Sequence, residues 1–137
     1  EREQRTQMLT SPSTRSALRT ALRANASFSA LCGFIAMAAA RPLTDLFALE
    51  HAWILMGLGA VLIAYAAALT LTSLRREVHS GLVGAAVFLD LLWVAASIVL
   101  VVFGEPLLSS AGRVVVAALA VFVGLFGLWQ FDGLRRS

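Results

Sequence analysis

The 137-residue chain contains no lysine, one cysteine (Cys32), one tyrosine (Tyr65) and three prolines, and only 14% of its residues are charged. Each scarcity excludes something. A single cysteine rules out a disulfide framework or a cysteine-based zinc site. The two histidines, His51 and His79, fall in different connections between apolar runs, on opposite membrane faces. They cannot jointly bind one haem or metal ion, so neither a metal nor another cofactor is expected. A mean hydropathy of +0.83 excludes a soluble globular domain, a disordered tail and a nucleic-acid-binding module, since ordinary soluble domains carry about 25% charged residues.

What the chain has instead is 59% hydrophobic residues, gathered into four runs at about 24–40, 52–74, 81–103 and 111–131. A bilayer core about 30 Å thick needs about 20 mostly apolar helical residues, and these runs match that length. They are continuous rather than alternating, which excludes a β-barrel. The fold class expected is an all-α membrane protein, a four-transmembrane-helix up-down bundle. Residues 1–12 read as a mobile tail and 13–137 as a single transmembrane domain, because the connections are too short to hold another. About 23 polar residues precede the first run and no small-residue cleavage site follows it, so no signal peptide is expected.

All eleven basic residues are arginines. Arg2, Arg5, Arg15, Arg19 and Arg23 precede the first run, Arg75 and Arg76 lie in the second connection, and Arg135 and Arg136 end the chain. In a four-span arrangement these nine share one side, against Arg41 and Arg113 on the other. Short arginine-rich segments stay cytoplasmic, so both termini are expected inside, in a multi-pass protein of a bacterial inner membrane. Arg15, Arg19 and Arg23 recur every four residues, on one face of an amphipathic N-terminal helical extension, away from Leu18, Ala21 and Leu22. With Arg75 and Arg76 they form a basic membrane surface. Two readings fit: a surface helix gripping anionic lipid headgroups at about 1 kcal/mol per arginine, or a cytoplasmic extension of the first span that only enforces topology.

The first outer connection (RPLTDLFALEH, 41–51) reads as a short interfacial helix, with Leu43, Leu46 and Phe47 on one side and Trp53 as an anchor. In the second, Ser109 or Ser110 is expected to cap the last span. Packing faces are expected along stripes of small residues: Asn25, Ser29, Cys32, Gly33 and Ala36 in the first span, Ala60, Ala64 and Ala68 in the second, and Ala117, Ala120, Gly124 and Gly127 in the fourth.

Asp90 is what composition leaves unexplained. At 1.5 Å per residue it lies about 13 Å into the third span, near the midplane. A carboxylate there costs about 2.5–3.5 kcal/mol to insert and should face the bundle interior with a partner. Trp93 and Ser97 share its face. Depth matching nominates Tyr65 as the hydrogen-bond partner and Cys32 as a weak donor beside it; on the fourth span the matching level, Phe122 to Gly124, holds no polar group. Asp90, Tyr65, Ser97 and Cys32 are therefore the candidate intramembrane polar site. Asp90 either takes up and releases a proton or pins helix register. Gln130 sits at the inner boundary, able to cap a helix or bond to a neighbour. No acid/base pair, serine triad or metal-ligand cluster is visible, so no enzymatic activity is expected.

Asn25-Ala26-Ser27-Phe28-Ser29 with Cys32-Gly33, Asp90-Leu91-Leu92-Trp93 with Ser97, and Ala111-Gly112-Arg113 together resemble a group of small uncharacterised bacterial four-span membrane proteins. The resemblance covers Arg15 to the C-terminus. It implies a compact four-helix fold in a bacterial inner membrane, and no activity.

The leading functional expectation is a non-enzymatic accessory or scaffolding subunit that packs within a larger membrane complex, its partners being anionic lipids and other subunits or a second copy. A small oligomeric transporter using Asp90 as a proton-coupling site is the alternative. A lipid or hydrophobic-molecule binder is a third possibility, on which the sequence is silent. Topology has a direct test. In a Cys32→Ser background, Glu105→Cys should react with a membrane-impermeant maleimide on intact cells, whereas Glu77→Cys should react only after the membrane is opened.

Overall fold

In a computed structural model the described residues are 1–2, 12–105 and 107–136, with side chains described from residue 16 within the first helix. The expected tail thus lies almost wholly outside the described residues, as do the side chain of Arg15 and the whole of Arg5. Among the described residues there are five helices and no strand: α1 (Pro12–Ala38), α2 (Ala40–Phe47), α3 (Ala52–Leu74), α4 (Ser80–Phe103) and α5 (Ser110–Arg136). Four of them, over Ser16–Ala38, Ala52–Leu74, Ser80–Phe103 and Ser110–Arg136, are long and apolar enough to cross a membrane.

The spans alternate in direction. Gly33 of α1 meets Gly59 of α3, and Leu18 near the start of α1 packs on Gly133 near the end of α5. One end of the bundle gathers the start of α1, the α3–α4 connection and the end of α5. This is the basic end. There Arg19 Nη2 donates to the carbonyls of Arg75 and Arg76, at 2.9 Å each. The other end carries α2 and the turn before α5.

The first span begins earlier than the apolar run suggests. α1 is one unbroken helix from Pro12, and Leu18, Ala21 and Leu22, the apolar side of the arginine-bearing segment, are buried at 4%, 1% and 0% exposure. Leu18 and Leu22 join Ala26, Ala66, Leu69, Val83 and Ala86 in the core at the basic end. That stripe packs inside the bundle, on a helix continuous with the first span. Arg23, Arg75 and Arg76 stay exposed and Arg19 is partly buried by its capping role.

Two of the three expected small-residue stripes face inward. Asn25, Ser29, Gly33 and Ala36 of α1 and Ala120 and Gly127 of α5 are buried. On α3 the stripe is on the wrong side: Ala60, Ala64 and Ala68 are exposed, and the helix packs through Leu55, Gly59, Ala66, Leu69 and Ser73. The glycine, not the alanines, decides the rotation, because backbones approach most closely where no Cβ intervenes. A Cβ on Gly33 would stand 2.8 Å from the Gly59 carbonyl oxygen.

At the opposite end α2 ends in a left-handed residue, Ala48 (φ 56°), with Leu49 N–H donating to Thr44 O and Ala48 N–H to Asp45 O. These are the paired bonds of a Schellman cap. Ser109 then fastens α2 to α5. Its N–H donates to Phe47 O, its hydroxyl donates to Leu46 O, and the same hydroxyl accepts the N–H of Gly112. Ser109 is thus the cap of α5 that the sequence offers. Threonine hydroxyls inside the spans bond to their own helices, as Thr70 does to Ala66 O and Thr72 to Ala68 O, which satisfies them where no water is present.

The order around the bundle is α3, α1, α5, α4. α1 packs along α3 and α5 along α4, α1 touches α5 between them, and α3 and α4 hardly approach each other. The close α1–α3 crossing makes a test. Gly33→Val should lower the unfolding free energy by about 1–3 kcal/mol through overpacking. Gly57→Ala, whose Cβ meets open space, should change it by less than about 0.5 kcal/mol. Denaturant unfolding in detergent micelles would measure both.

Candidate functional site

Asp90 lies halfway along α4 and is 3% exposed. Every other long helix sends it a donor. Asn25 Nδ2 of α1 donates to Asp90 Oδ2 at 2.9 Å, Gln130 Nε2 of α5 donates to the same oxygen at 2.9 Å, and Tyr65 Oη of α3 donates to Oδ1 at 2.9 Å. The donors are themselves oriented. Ser29 Oγ donates to Asn25 Oδ1 at 3.3 Å, which turns the Asn25 amide nitrogen toward the carboxylate. Gln130 Nε2 also donates to Phe126 O, one turn earlier on its own helix. Asn25 and Gln130 are 1% and 0% exposed.

The sequence-predicted pair, Asp90 and Tyr65, does meet. Ser97 does not join it, because its hydroxyl donates to Trp93 O on its own helix. Cys32 is free and half-buried, and instead lines an adjoining cavity of about 530 Å³ together with Tyr65 and Asp90. The residues that sequence reasoning missed as partners are Asn25 and Gln130. Asn25 read as one small polar position in a packing stripe. Gln130 read as a boundary residue because the fourth span was expected to end near 131.

The helix in fact continues to Arg136, and the level of α5 that faces Asp90 is Gly127, where a Cβ would stand 3.4 Å from the Asp90 Cβ. This is about one turn further along than equal-depth matching gives. Glycine at that point lets α4 come close, and Gln130, three residues on, reaches back over it. Two polar atoms in this neighbourhood, Gln130 Oε1 and Trp93 Nε1, are buried without a partner.

Chemically, the cluster holds a carboxyl group in one place by three donors, which is what an acid away from water requires. It also has one adjustable member. The Tyr65 hydroxyl lies within reach of a second acceptor, Ala86 O, at 3.3 Å. A proton placed on Asp90 Oδ1 would donate to Tyr65 Oη while the tyrosine hydroxyl turned to Ala86 O. Both protonation states can therefore keep the α3–α4 link. The described residues contain no cluster of histidine, cysteine and acidic side chains that could hold a metal ion.

Comparison with protein families, curated proteins and solved structures yields no match for this chain. The site must be read from its own geometry.

Removing one donor should cost what a buried hydrogen bond between spans is worth. Tyr65→Phe, and separately Gln130→Leu, should each lower the unfolding free energy by about 0.6–1.7 kcal/mol. Asp90→Leu leaves three donors facing a hydrocarbon side chain and should cost more, about 3–5 kcal/mol. The ranking can be checked by denaturant unfolding of the purified variants in one detergent.

Proposed function

We propose that this chain is a non-enzymatic protein of a bacterial inner membrane, with both termini on the cytoplasmic side. It works as an accessory or scaffolding subunit, presenting preformed helix faces to a larger membrane assembly. The observation that carries this reading is the closure of the Asp90 cluster. Its donors all come from the chain's own spans, so the strongest polar group in the interior is committed to holding the bundle in one shape. The outward stripe of α3, Gly57, Ala60, Ala64 and Ala68, supports it further, since small residues let a neighbouring helix come close in lipid. At the basic end, exposed Arg23, Arg75 and Arg76, with Arg135 and Arg136, suit anionic headgroups.

A second reading, a small oligomeric transporter coupled to protons through Asp90, is favoured by one observation. The two acceptors within reach of Tyr65 Oη let the cluster accommodate a proton without coming apart.

The two readings part on one experiment. The full chain, purified in mild detergent from its native membrane, should run as a complex of fixed stoichiometry with a larger partner. Ala64→Trp on the outward face should release it while leaving its own unfolding unchanged. Asp90→Asn should leave the assembly intact. A lone chain or homo-oligomer that drives proton uptake into liposomes, with the uptake abolished by Asp90→Asn, would replace the subunit reading with transport.

A further inference from the structure

The cavity beside the Asp90 cluster has its own logic. α3 and α4 are consecutive, yet they hardly approach each other, and the space between them is walled by Leu58, Leu62 and Tyr65 on one side and by Leu92, Trp93 and Ala96 on the other. Phe28 and Cys32 of α1 with Leu119 of α5 form its back, and Leu43 and Phe47 of α2 close its end. At its floor the polar groups are turned on one another: Tyr65 and Asn25 bond to Asp90, and Ser29 bonds to Asn25. The walls therefore offer an occupant almost nothing but hydrocarbon and aromatic surface. The rim residues Val61 and Leu92, 64% and 54% exposed, stand where the two spans separate. Entry is sideways, from the bilayer.

Shape selects the occupant. The cavity runs from the level of Leu55 to that of Tyr65, about 15 Å at 1.5 Å per residue. Its volume is about 530 Å³. A single hydrocarbon chain, its carbons about 4 Å from those of the walls, fits, with room for methyl branches or a ring. The volume also lies within the range of about 300–1,000 Å³ typical of small-molecule sites.

We propose that the α3–α4 cavity is a binding site for one membrane lipophile, which inserts a single uncharged hydrocarbon or isoprenoid chain as far as the ring of Tyr65. The proposal is independent of the subunit reading, because the outward stripe Gly57, Ala60, Ala64 and Ala68 on which that reading draws does not line the cavity. Ser109 holds α2 as the end wall, so the site has a defined length. The Asp90 cluster holds α3 and α4 together at the floor, so the site does not collapse.

The test uses the full chain in lipid nanodiscs, carrying Trp53→Phe and Trp129→Phe so that Trp93 is the sole tryptophan. Energy transfer from Trp93 to cis-parinaric acid, an eighteen-carbon polyene fatty acid, should saturate at one probe per chain. Ala96→Phe, and independently Leu58→Trp read through displacement of bound probe, should weaken binding by about tenfold or more by filling the cavity from opposite walls. Ala95→Phe, on the exposed side of α4, should leave it unchanged. Displacement by palmitic acid but not by added dioleoyl phosphatidylcholine identifies a single-chain lipophile. Displacement by both identifies a phospholipid tail. Transfer that rises linearly with probe, shows no displacement by either competitor and is the same in wild type and in both filled variants would overturn the proposal.

Discussion

An ionisable group at mid-membrane depth has no water to turn to, and this constraint organises the molecule. The Asp90 carboxylate accepts a hydrogen bond from each of the other three long helices. Apolar packing between helices is weakly selective in lipid, because the acyl chains are as apolar as leucine. Three directed bonds to one acid fix register, rotation and order around the bundle in a way that a uniform apolar face does not. Specificity from a buried polar group has a cost in stability. Here the cost of inserting one acid is offset by donors positioned within the fold.

The two halves of the bundle serve different ends. Toward the basic end, Leu18, Leu22, Ala66, Leu69, Val83 and Ala86 fill the interior. Toward α2 the α1–α3 crossing at Gly33 and Gly59 stays close, and a cavity is left between α3 and α4. The Asp90 cluster sits between these regimes, as the floor of the open half and the roof of the packed one. Such a partition keeps an internal space in a protein of this size without loosening the whole. Ser109 closes the open half at its far end with three hydrogen bonds.

Much of this was legible in the sequence. Span number, their antiparallel course, the short helix containing Leu43 and Phe47, a serine cap at 109 or 110 and the Tyr65–Asp90 pair all follow from periodicity, length and the rarity of polar residues in apolar runs. Three features were not. The outward face of Ala60, Ala64 and Ala68 follows from the Gly33–Gly59 crossing, a meeting of two residues 26 positions apart that no local pattern announces. Gln130 was hidden because α5 runs past the apolar stretch that defines it, shifting the level that faces Asp90 by about one turn. The role of Asn25 was hidden because a small polar residue on a packing face reads the same whether it supports a close approach or donates to an acid.

The donors of Asp90 are spread along the chain, at positions 25, 65 and 130, and this spacing sets an order of assembly. Chains emerge from the ribosome N-terminus first. When Asp90 reaches the membrane, Asn25 and Tyr65 are already there and can receive it, whereas Gln130 is still to be made. The third span therefore enters with its acid two-thirds accommodated, and α5 brings both the last donor and, through Ser109, the fastening of α2. The final helix is the keystone of biogenesis: a nascent chain stalled before it holds every residue of the open half's front wall but lacks the α5 share of its back and the Ser109 latch.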